Sequence, residues 1–229
     1  VTPDMFFPST ACLIQKNIGA TKAVAFDLSA ACSGFLYALA VGNQFVATGA
    51  YDTVLVVATE VLTKMVNWED RNSCILFGDG AGAVVLQTVE KGTGFLSFDL
   101  GAEGMGAELL KVPAGGSRQP ASLETVQNKE HFIIMNGNEV FKFAVKIMGE
   151  TSIKVLEKAG LSREDLDCLV PHQANTRIIT AARKRLGLSA DKVYVNLDKY
   201  GNMSSASIPV ALVEAVEKGY IQKGSIVLL

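Results

Sequence analysis

The fold is decided by residues 23–58, which read AVAFDLSAACSGFLYALAVGNQFVATGAYDTVLVVA. A short apolar run opens this stretch at residues 23–27, and a helical run rich in alanine follows the small residues around Cys32. A second apolar run closes the stretch at residues 53–58. Strand, helix and strand in this order are typical of an α/β fold. Because residues 53–58 are almost wholly apolar, we expect this strand to be covered on both faces.

The C-terminal part of the sequence repeats this order. Residues 193–229 read VYVNLDKYGNMSSASIPVALVEAVEKGYIQKGSIVLL, which again suggests strand, loop, helix and strand. The repeat is too long for a solenoid, so we predict two similar halves, residues 1–105 and residues 106–229. The repeat places Asn202 at the position that Cys32 holds in the first half. We therefore expect these two side chains to meet between the halves.

The remaining elements follow from apolar periodicity and from glycines at helix ends. Helices are predicted at residues 33–48, 139–159 and 173–186, and further strands at residues 167–170 and 192–196. Residues 101–130 are expected to form a connector or a long surface loop. Residues 74–77 and 83–87 flank the run Gly78-Asp-Gly-Ala-Gly82 and are predicted to form a hairpin. A strand rather than a helix follows that run, so we interpret it as a tight turn and not as a dinucleotide loop.

Composition excludes several classes of protein. The 229 residues include 21 Lys+Arg and 23 Asp+Glu, so no basic excess exists that would favour a nucleic-acid binder. Hydrophobic residues make up 49% and charged residues 19%, which excludes a disordered chain. No apolar run reaches the ~18–20 residues that cross a bilayer. We therefore expect a soluble protein without membrane insertion.

Cysteine and histidine usage predicts a compartment and argues against a metal. The four cysteines are scattered without a C-x-x-C pair, and the N-terminal residues lack the features of a secretory signal. Reduced thiols and a cytoplasmic location are expected. With only two histidines, His131 and His172, no metal site is expected. The absence of an initiator Met and the strand-like last residues favour a fragment that lacks both termini.

Three residues are candidates for chemistry. Cys32 lies at a strand-to-helix junction, where unpaired N–H groups and the helix dipole favour the thiolate. A buried cysteine acting as a small hydrophobe is the alternative. His172 follows a predicted buried strand, at the end where α/β proteins place their ligands. Asn202 lies in a Gly-Asn turn, and its place in the internal repeat gives it weight.

Cysteine, histidine and asparagine in this order also suit a papain-like hydrolase, in which His172 would activate the thiol and Asn202 would orient the histidine. The surroundings Cys-Gly-Ser-Cys-Trp are missing, and the strand-rich repeat does not fit such a protease. On the helix after His172, several basic residues lie close together. They form either a solvated surface or a docking site for an acidic or phosphate-bearing partner.

Four motifs are distinctive: DLSAACSGF at residues 27–35, FGDGAGAVVL at 77–86, VPHQANTRI at 170–178 and YGNMSSAS at 200–207. Together they resemble one known family, the β-ketoacyl-[acyl-carrier-protein] synthase III enzymes of the thiolase superfamily. The resemblance covers essentially the whole chain. It implies a thiolase-like αβαβα fold of two similar halves, with the N-terminal part incomplete here. It also implies a homodimer.

The resemblance implies a role for each matching residue. Cys32 would accept an acyl group from acyl-CoA, while His172 and Asn202 would bind the thioester carbonyl of malonyl-acyl carrier protein. Both thioesters are substrates, and no cofactor or metal is implied. Substrate-binding residues would be Phe7, Arg71 and Phe77, of which Phe7 would reach into the partner subunit's acyl pocket. Residues that contact the acyl carrier protein would be Lys142, Arg177, Lys184 and Arg185.

Two alternatives stay open on the sequence. A synthase III-like enzyme of polyketide or other secondary metabolism would share the same three residues. The chain could also be a non-catalytic fragment, since an unpaired sheet edge invites aggregation. The starter acyl group, whether acetyl, branched or longer, is not readable from the sequence.

Overall fold

The computed structural model describes residues 1–229 and contains seven α-helices, six strands and several 3₁₀ turns. The helices are α1 (Thr10–Asn17), α2 (Gly34–Ala47), α3 (Leu123–Gln127), α4 (Gly137–Lys158), α5 (Thr176–Leu186), α6 (Leu197–Tyr200) and α7 (Ser207–Glu217). The strands are β1 (Thr53–Val61), β2 (Asp79–Gln87), β3 (Leu110–Lys111), β4 (Ile134–Met135), β5 (Cys168–Leu169) and β6 (Val227–Leu228).

Two sheets carry the architecture. Strands β1 and β2 pair antiparallel over their whole length, from Thr53 opposite Gln87 to Val61 opposite Asp79. Strands β5 and β6 pair parallel, and Val193 adds a single parallel bridge to Leu169. A small antiparallel pair, β3 with β4, lies apart from both sheets.

Helices α2 and α7 lie between the two sheets. Both helices contribute to the hydrophobic core that packs on β1. This core contains Phe35, Leu39, Val56, Ala58, Met203, Ala206 and Ile208. The opposite side of α7 packs on the β5 region through Cys168, Val170, Tyr194, Ala211 and Ala215. Helices α4 and α5 pack together, and α5 covers the outer face of β5–β6 with Ile179 and Leu186. The layers therefore run α4/α5, β5–β6, α2/α7 and β1–β2.

The outer face of β1–β2 is open, so the prediction of a strand covered on both faces is wrong. Val56 and Ala58 face α2 and are each 4% exposed, whereas Leu55 and Val85 on the outer face are 43% and 60% exposed. No helix of this chain packs on that outer face. Burial therefore alternates along the strand although the sequence does not.

The three long predicted helices are confirmed as α2, α4 and α5. Helix α2 is followed by Gly49 and helix α5 by Gly187, both in the left-handed conformation that ends a helix (φ +71° and +68°). Helix α5 begins later than predicted, because the side chain of Asn175 accepts a hydrogen bond of 2.8 Å from the N–H of Arg177 and caps the helix.

The predicted hairpin around residues 78–82 is wrong. Residues 74–76 form a turn, Phe77 forms a single bridge with Asn202, and β2 begins at Asp79 and pairs with β1 instead. A Cβ added to Gly78, Gly80 or Gly82 would lie 2.0 Å from the Tyr200 oxygen, 2.3 Å from the Met203 sulfur or 2.7 Å from Pro209 Cβ, respectively. The glycines alternate along the strand, so they share one face and let the second half approach closely.

Several shorter predictions also change. Residues 23–27 form no strand, and two of their carbonyls accept hydrogen bonds from α1 side chains: Gln15 Nε2 donates to Ala23 O at 3.2 Å, and Cys12 Sγ to Ala25 O at 3.6 Å. Residues 192–196 keep only the bridge at Val193, since Asn196 N–H donates to a glutamine side chain. Residues 101–130 are less irregular than expected, because β3 and α3 lie within them.

The two halves share the core around α2, and the boundary at 105/106 stays a prediction. None of the helices combines the length and the apolar character that crossing a bilayer requires.

Candidate active site

Cys32 lies in the 3₁₀ turn Ala31–Ser33, which leads directly into α2 and is called the first corner below. Ala31 has φ +46°, a left-handed conformation that is uncommon for a residue with a Cβ. The backbone N–H of Cys32 donates to no acceptor within the chain. The half-buried thiol thus lies beside the N-terminus of α2, together with a free N–H group.

The surroundings of Cys32 favour the thiolate. Burial alone would raise the pKa of the thiol, but the charge and polar ring of neighbouring His172 and the neighbouring Ser204 hydroxyl lower it. The carboxylate of Glu60 acts in the opposite direction. The lowering interactions outweigh the others, so the pKa of Cys32 lies below its ordinary value.

His172 is held by its neighbour Gln173. The fully buried Gln173 donates from Nε2 to Pro171 O at 2.8 Å and to Tyr194 O at 3.3 Å, and its Oε1 accepts from the Asn196 N–H at 3.1 Å. These bonds fix the turn after β5 from which the imidazole projects. The Nδ1 atom of His172 is buried without a hydrogen-bond partner.

Asn202 is tied to residues 76–78 by its backbone. Its N–H donates to Leu76 O at 2.8 Å, and its carbonyl accepts from the Gly78 N–H at 2.9 Å. The side-chain Oδ1 accepts from the Ser204 N–H at 2.9 Å, which orients the amide. The Nδ2 group donates to no protein acceptor, so it is free for a substrate oxygen.

The structure corrects the alignment of the two halves. The 3₁₀ turn Ser204–Ala206, called the second corner below, leads into α7 as the first corner leads into α2. Ser204 has φ +49°, matching Ala31 at φ +46°. The counterpart of Cys32 is therefore Ser205, and Asn202 lies three residues earlier. Counting residues from the preceding strand gave the wrong counterpart, because the second half contains an additional short helix, α6, at residues 197–200.

The two corners pack against each other. Cys32 faces His172 and Ser204, and the backbone N–H of the same serine donates to the side chain of Asn202. The three candidate residues are thus brought to one place by three separate segments: the first corner, the turn after β5 and the second corner.

The predicted substrate-binding residues divide into two groups. Phe77 lies beside Asn202, with which it forms a backbone bridge, and it packs on Leu62 and Val66. Arg71 lies exposed in the turn before β2, and Phe7 is 84% exposed in the N-terminal segment. Neither of these contacts the three candidates within the chain.

The predicted basic patch lies on α4 and α5. The Arg177 guanidinium stacks 4.9 Å from the centre of the Phe141 ring and lines, with Lys184, a shallow groove of about 330 Å³. Lys142 pairs with Glu139 at 2.6 Å, and Arg185 pairs with Glu150 at 3.6 Å. The groove therefore presents Arg177 and Lys184, while the other two cations have acidic partners on α4.

Sequence reasoning missed Glu60, Gln173, Ser204 and Ser205. Glu60 follows Val56 and Ala58 at every second position of β1, so it points to the core in the same way and is 2% exposed. The sequence signal for Glu60 was an acidic residue at a strand position where the alternation predicts a core-facing side chain. For Ser204 and Ser205 no local signal exists, because their importance depends on contacts with the first half.

No group of three or more His, Cys, Asp or Glu side chains lies together in a way that could hold a metal ion.

The chain was compared with known protein families, curated sequences and solved structures. A family model described as 3-oxoacyl-[acyl-carrier-protein] synthase III matches residues 26–104, and the model of its C-terminal part matches residues 156–229. The β-ketoacyl-[acyl-carrier-protein] synthase III of Desulfitobacterium hafniense is 62% identical over 229 residues, which are 100% of this chain and 69% of that protein. The one from Caldanaerobacter subterraneus subsp. tengcongensis is 62% identical over 228 residues, with the same coverage of 100% and 69%.

A solved structure gives the same result. The crystal structure of the β-ketoacyl-[acyl-carrier-protein] synthase III of Thermus thermophilus superposes with a TM-score of 0.91 at 49% identity, covering 99% of this chain and 69% of that one.

Proposed function

Because the chain belongs to the β-ketoacyl-[acyl-carrier-protein] synthase III family, we propose how its residues divide the work of that family's reaction. The chain is an acyltransferase with the thiolase-like layered α/β fold. It condenses an acyl-CoA with malonyl-acyl carrier protein in fatty acid synthesis. The single observation that supports the division of roles is the meeting of Cys32, His172 and the second corner.

Acyl transfer is assigned to Cys32. Its thiolate attacks the thioester carbonyl of acyl-CoA, and the tetrahedral intermediate collapses with release of CoA, which takes up a proton. The backbone N–H of Cys32 has no acceptor within the chain, so it is available to the oxyanion. His172 favours this step by lowering the pKa of the thiol.

Decarboxylation is assigned to His172 and Asn202. Both present N–H donors to the thioester carbonyl of malonyl-acyl carrier protein, and Nδ2 of Asn202 has no competing acceptor in the protein. When the bond between the carboxylate and the α-carbon breaks, CO₂ leaves and its electron pair forms an enolate at that carbonyl. Donors already in place stabilise this charge without reorganisation.

Condensation then completes the cycle. The enolate carbon attacks the carbonyl of the acyl-Cys32 thioester, the Cys32 thiolate leaves, and the β-ketoacyl product stays on the carrier protein. No cofactor takes part in this scheme. Each new bond forms as a thioester bond or the bond to the leaving carboxylate breaks, and no step is a net oxidation or reduction.

The binding surfaces are proposed from exposure and charge. Arg177 and Lys184 receive the acidic carrier protein at the groove of α4 and α5, flanked by Lys142 and Arg185. Phe77 borders the acyl group, and Arg71 approaches the CoA nucleotide. Exposed Phe7 (84%) supports a homodimer in which this ring enters the partner's acyl pocket. We place the reaction in the cytoplasm, where the reduced thiol is maintained.

The experiment that tests these roles separates the two half-reactions. The purified protein is incubated with a mixture of short acyl-CoAs, and the adduct is located by intact mass and peptide mapping. We expect one acyl group on Cys32, none in Cys32→Ser, and unchanged labelling in Cys74→Ser as a matched control. The acyl group selected also identifies the preferred starter.

Decarboxylation is followed as CO₂ release from malonyl-acyl carrier protein. We expect Asn202→Ala to keep acyl loading and to lose about 10²–10³-fold in CO₂ release, as is usual when one oxyanion donor is removed. An adduct on a cysteine other than Cys32, or an Asn202→Ala variant that condenses at the wild-type rate, would contradict the assignment.

A further inference from the structure

Glu60 is a buried carboxylate that the proposed reaction does not use. It lies at the end of β1 on the core-facing side and is 2% exposed. Its oxygens accept hydrogen bonds from the Thr2 N–H at 3.1 Å, the Thr2 hydroxyl at 2.7 Å and the Ser205 hydroxyl at 2.8 Å. A buried charge is tolerated only when it is bonded in this way.

The partner of Glu60, Ser205, is the residue that corresponds to Cys32 in the second half. The backbones match closely: the Ser33 N–H donates to Ala30 O at 3.1 Å, and the Ala206 N–H donates to Met203 O at 3.1 Å. In the first corner this position carries the thiol. In the second corner it carries a hydroxyl that is already engaged by Glu60.

The Glu60–Ser205 bond anchors the second corner next to groups that face the substrate. Ser204, adjacent to Ser205, has a left-handed backbone and a buried hydroxyl that faces Cys32. The same residue donates its N–H to Asn202 Oδ1. A shift of the second corner therefore moves both the neighbour of the thiol and the amide of Asn202.

We propose that Glu60 is a positioning residue, which through Ser205 holds the second corner in register with the first corner and so fixes Asn202 and Ser204 against Cys32. The proposal rests on Cys32 being the nucleophile. The second half has thus kept the backbone of the first corner and uses its matching side chain for placement instead of for chemistry.

The charge of Glu60 provides a readout that a purely structural role lacks. The groups that face Cys32 are His172 from the turn after β5, Ser204 from the second corner and Glu60 from β1. Glu60 raises the pKa of the thiol, in opposition to His172. Loss of its charge should therefore lower that pKa, whereas general loosening of the site should return it upward towards the ordinary value of about 8.5.

The test compares Glu60→Gln, Ser205→Ala and the control Asp79→Asn. Asp79 is a suitable control because it lies on the neighbouring strand, points to the outer face and is likewise hydrogen-bonded, to the Thr63 hydroxyl at 2.6 Å. For each variant, the rate of Cys32 alkylation by iodoacetamide is measured against pH. CO₂ release from malonyl-acyl carrier protein and acyl loading from acyl-CoA are measured on the same samples.

We expect the alkylation midpoint of Glu60→Gln to move to lower pH, while Ser205→Ala, which keeps the carboxylate, shows no such fall. Both variants should lose CO₂ release on the order of 10²-fold, the effect of a displacement of about 1 Å at a reacting group. Asp79→Asn should match the wild type in all three measurements.

An unchanged or raised midpoint in Glu60→Gln, or wild-type CO₂ release in Ser205→Ala, would overturn the proposal. If Glu60→Gln does not fold, CO₂ release in Ser205→Ala decides alone. The proposed function fails separately, since it predicts that wild-type Cys32 is loaded by acyl-CoA whatever the behaviour of these variants.

Discussion

Replacing Gly78 by alanine should displace Asn202 while leaving Cys32 in place. The added Cβ would lie 2.0 Å from the carbonyl oxygen of Tyr200, whereas real Cβ atoms essentially never approach closer than 3.0 Å. Because the obstacle is backbone and not a flexible side chain, residues 200–202 must move by at least about 1 Å. A displacement of that size at a group that contacts the reacting atoms costs about 10²-fold in rate.

The assay again separates the two half-reactions. We expect CO₂ release from malonyl-acyl carrier protein to fall by about 10²-fold in Gly78→Ala, while acylation of Cys32 by acyl-CoA stays within a few-fold of the wild type. Overpacking also destabilises by about 1–3 kcal/mol, so the thermal midpoint should fall. Gly104→Ala is the matched control, because a Cβ there meets no atom within 4 Å. Equal loss of both half-reactions, or wild-type CO₂ release, would refute the reasoning.

Two further predictions concern the protein surface. Arg177→Glu should slow condensation with the carrier-protein substrate and leave loading of the active-site thiol from acyl-CoA nearly intact; equal loss of both rates would argue against docking at this groove. Glu214 accepts hydrogen bonds from Tyr194, Tyr200 and Lys218, which lower its pKa to about 2. The stability that its ionised form contributes is complete above the unfolded pKa of about 4.3 and is lost as pH falls towards 2. Glu214→Gln should therefore lower the thermal midpoint at pH 7, and its difference from the wild type should shrink between about pH 4 and pH 2; a difference that does not depend on pH would contradict this account.

Local signals were sufficient for the long helices. Helix α2 repeats apolar residues at helical spacing, and α5 ends at a left-handed glycine. Nearby residues therefore determine both that these segments are helical and where they end. The motifs around Cys32, His172 and Asn202 also identified the residues that the structure brings together. These features require no knowledge of what lies across the core.

The errors arose where distant contacts decide the conformation. The glycines of residues 78–82 resemble a turn in the sequence, but in the structure they occupy every second position and all three face the second half, where a side chain would collide with Tyr200, Met203 or Pro209. Residues 23–27 have the composition of a strand, yet a strand also needs a neighbour to pair with. In this chain no strand pairs with them, and α1 side chains donate to the carbonyls of Ala23 and Ala25.

The alignment of the halves shows most clearly why the candidate site was only partly predictable. Counting residues from the preceding strand paired Cys32 with Asn202, because sequence spacing cannot tell a loop from the short helix α6. Backbone conformation pairs Cys32 with Ser205, since the first residue of each corner, Ala31 in one and Ser204 in the other, is left-handed. This alignment shows that the two corners share one backbone conformation but carry side chains with different roles. The thiol of Cys32 lies in the first corner itself, whereas Asn202 projects from the turn before the second corner. Its amide can donate to the substrate in the right place only while Glu60 and Ser205 hold the second corner in position.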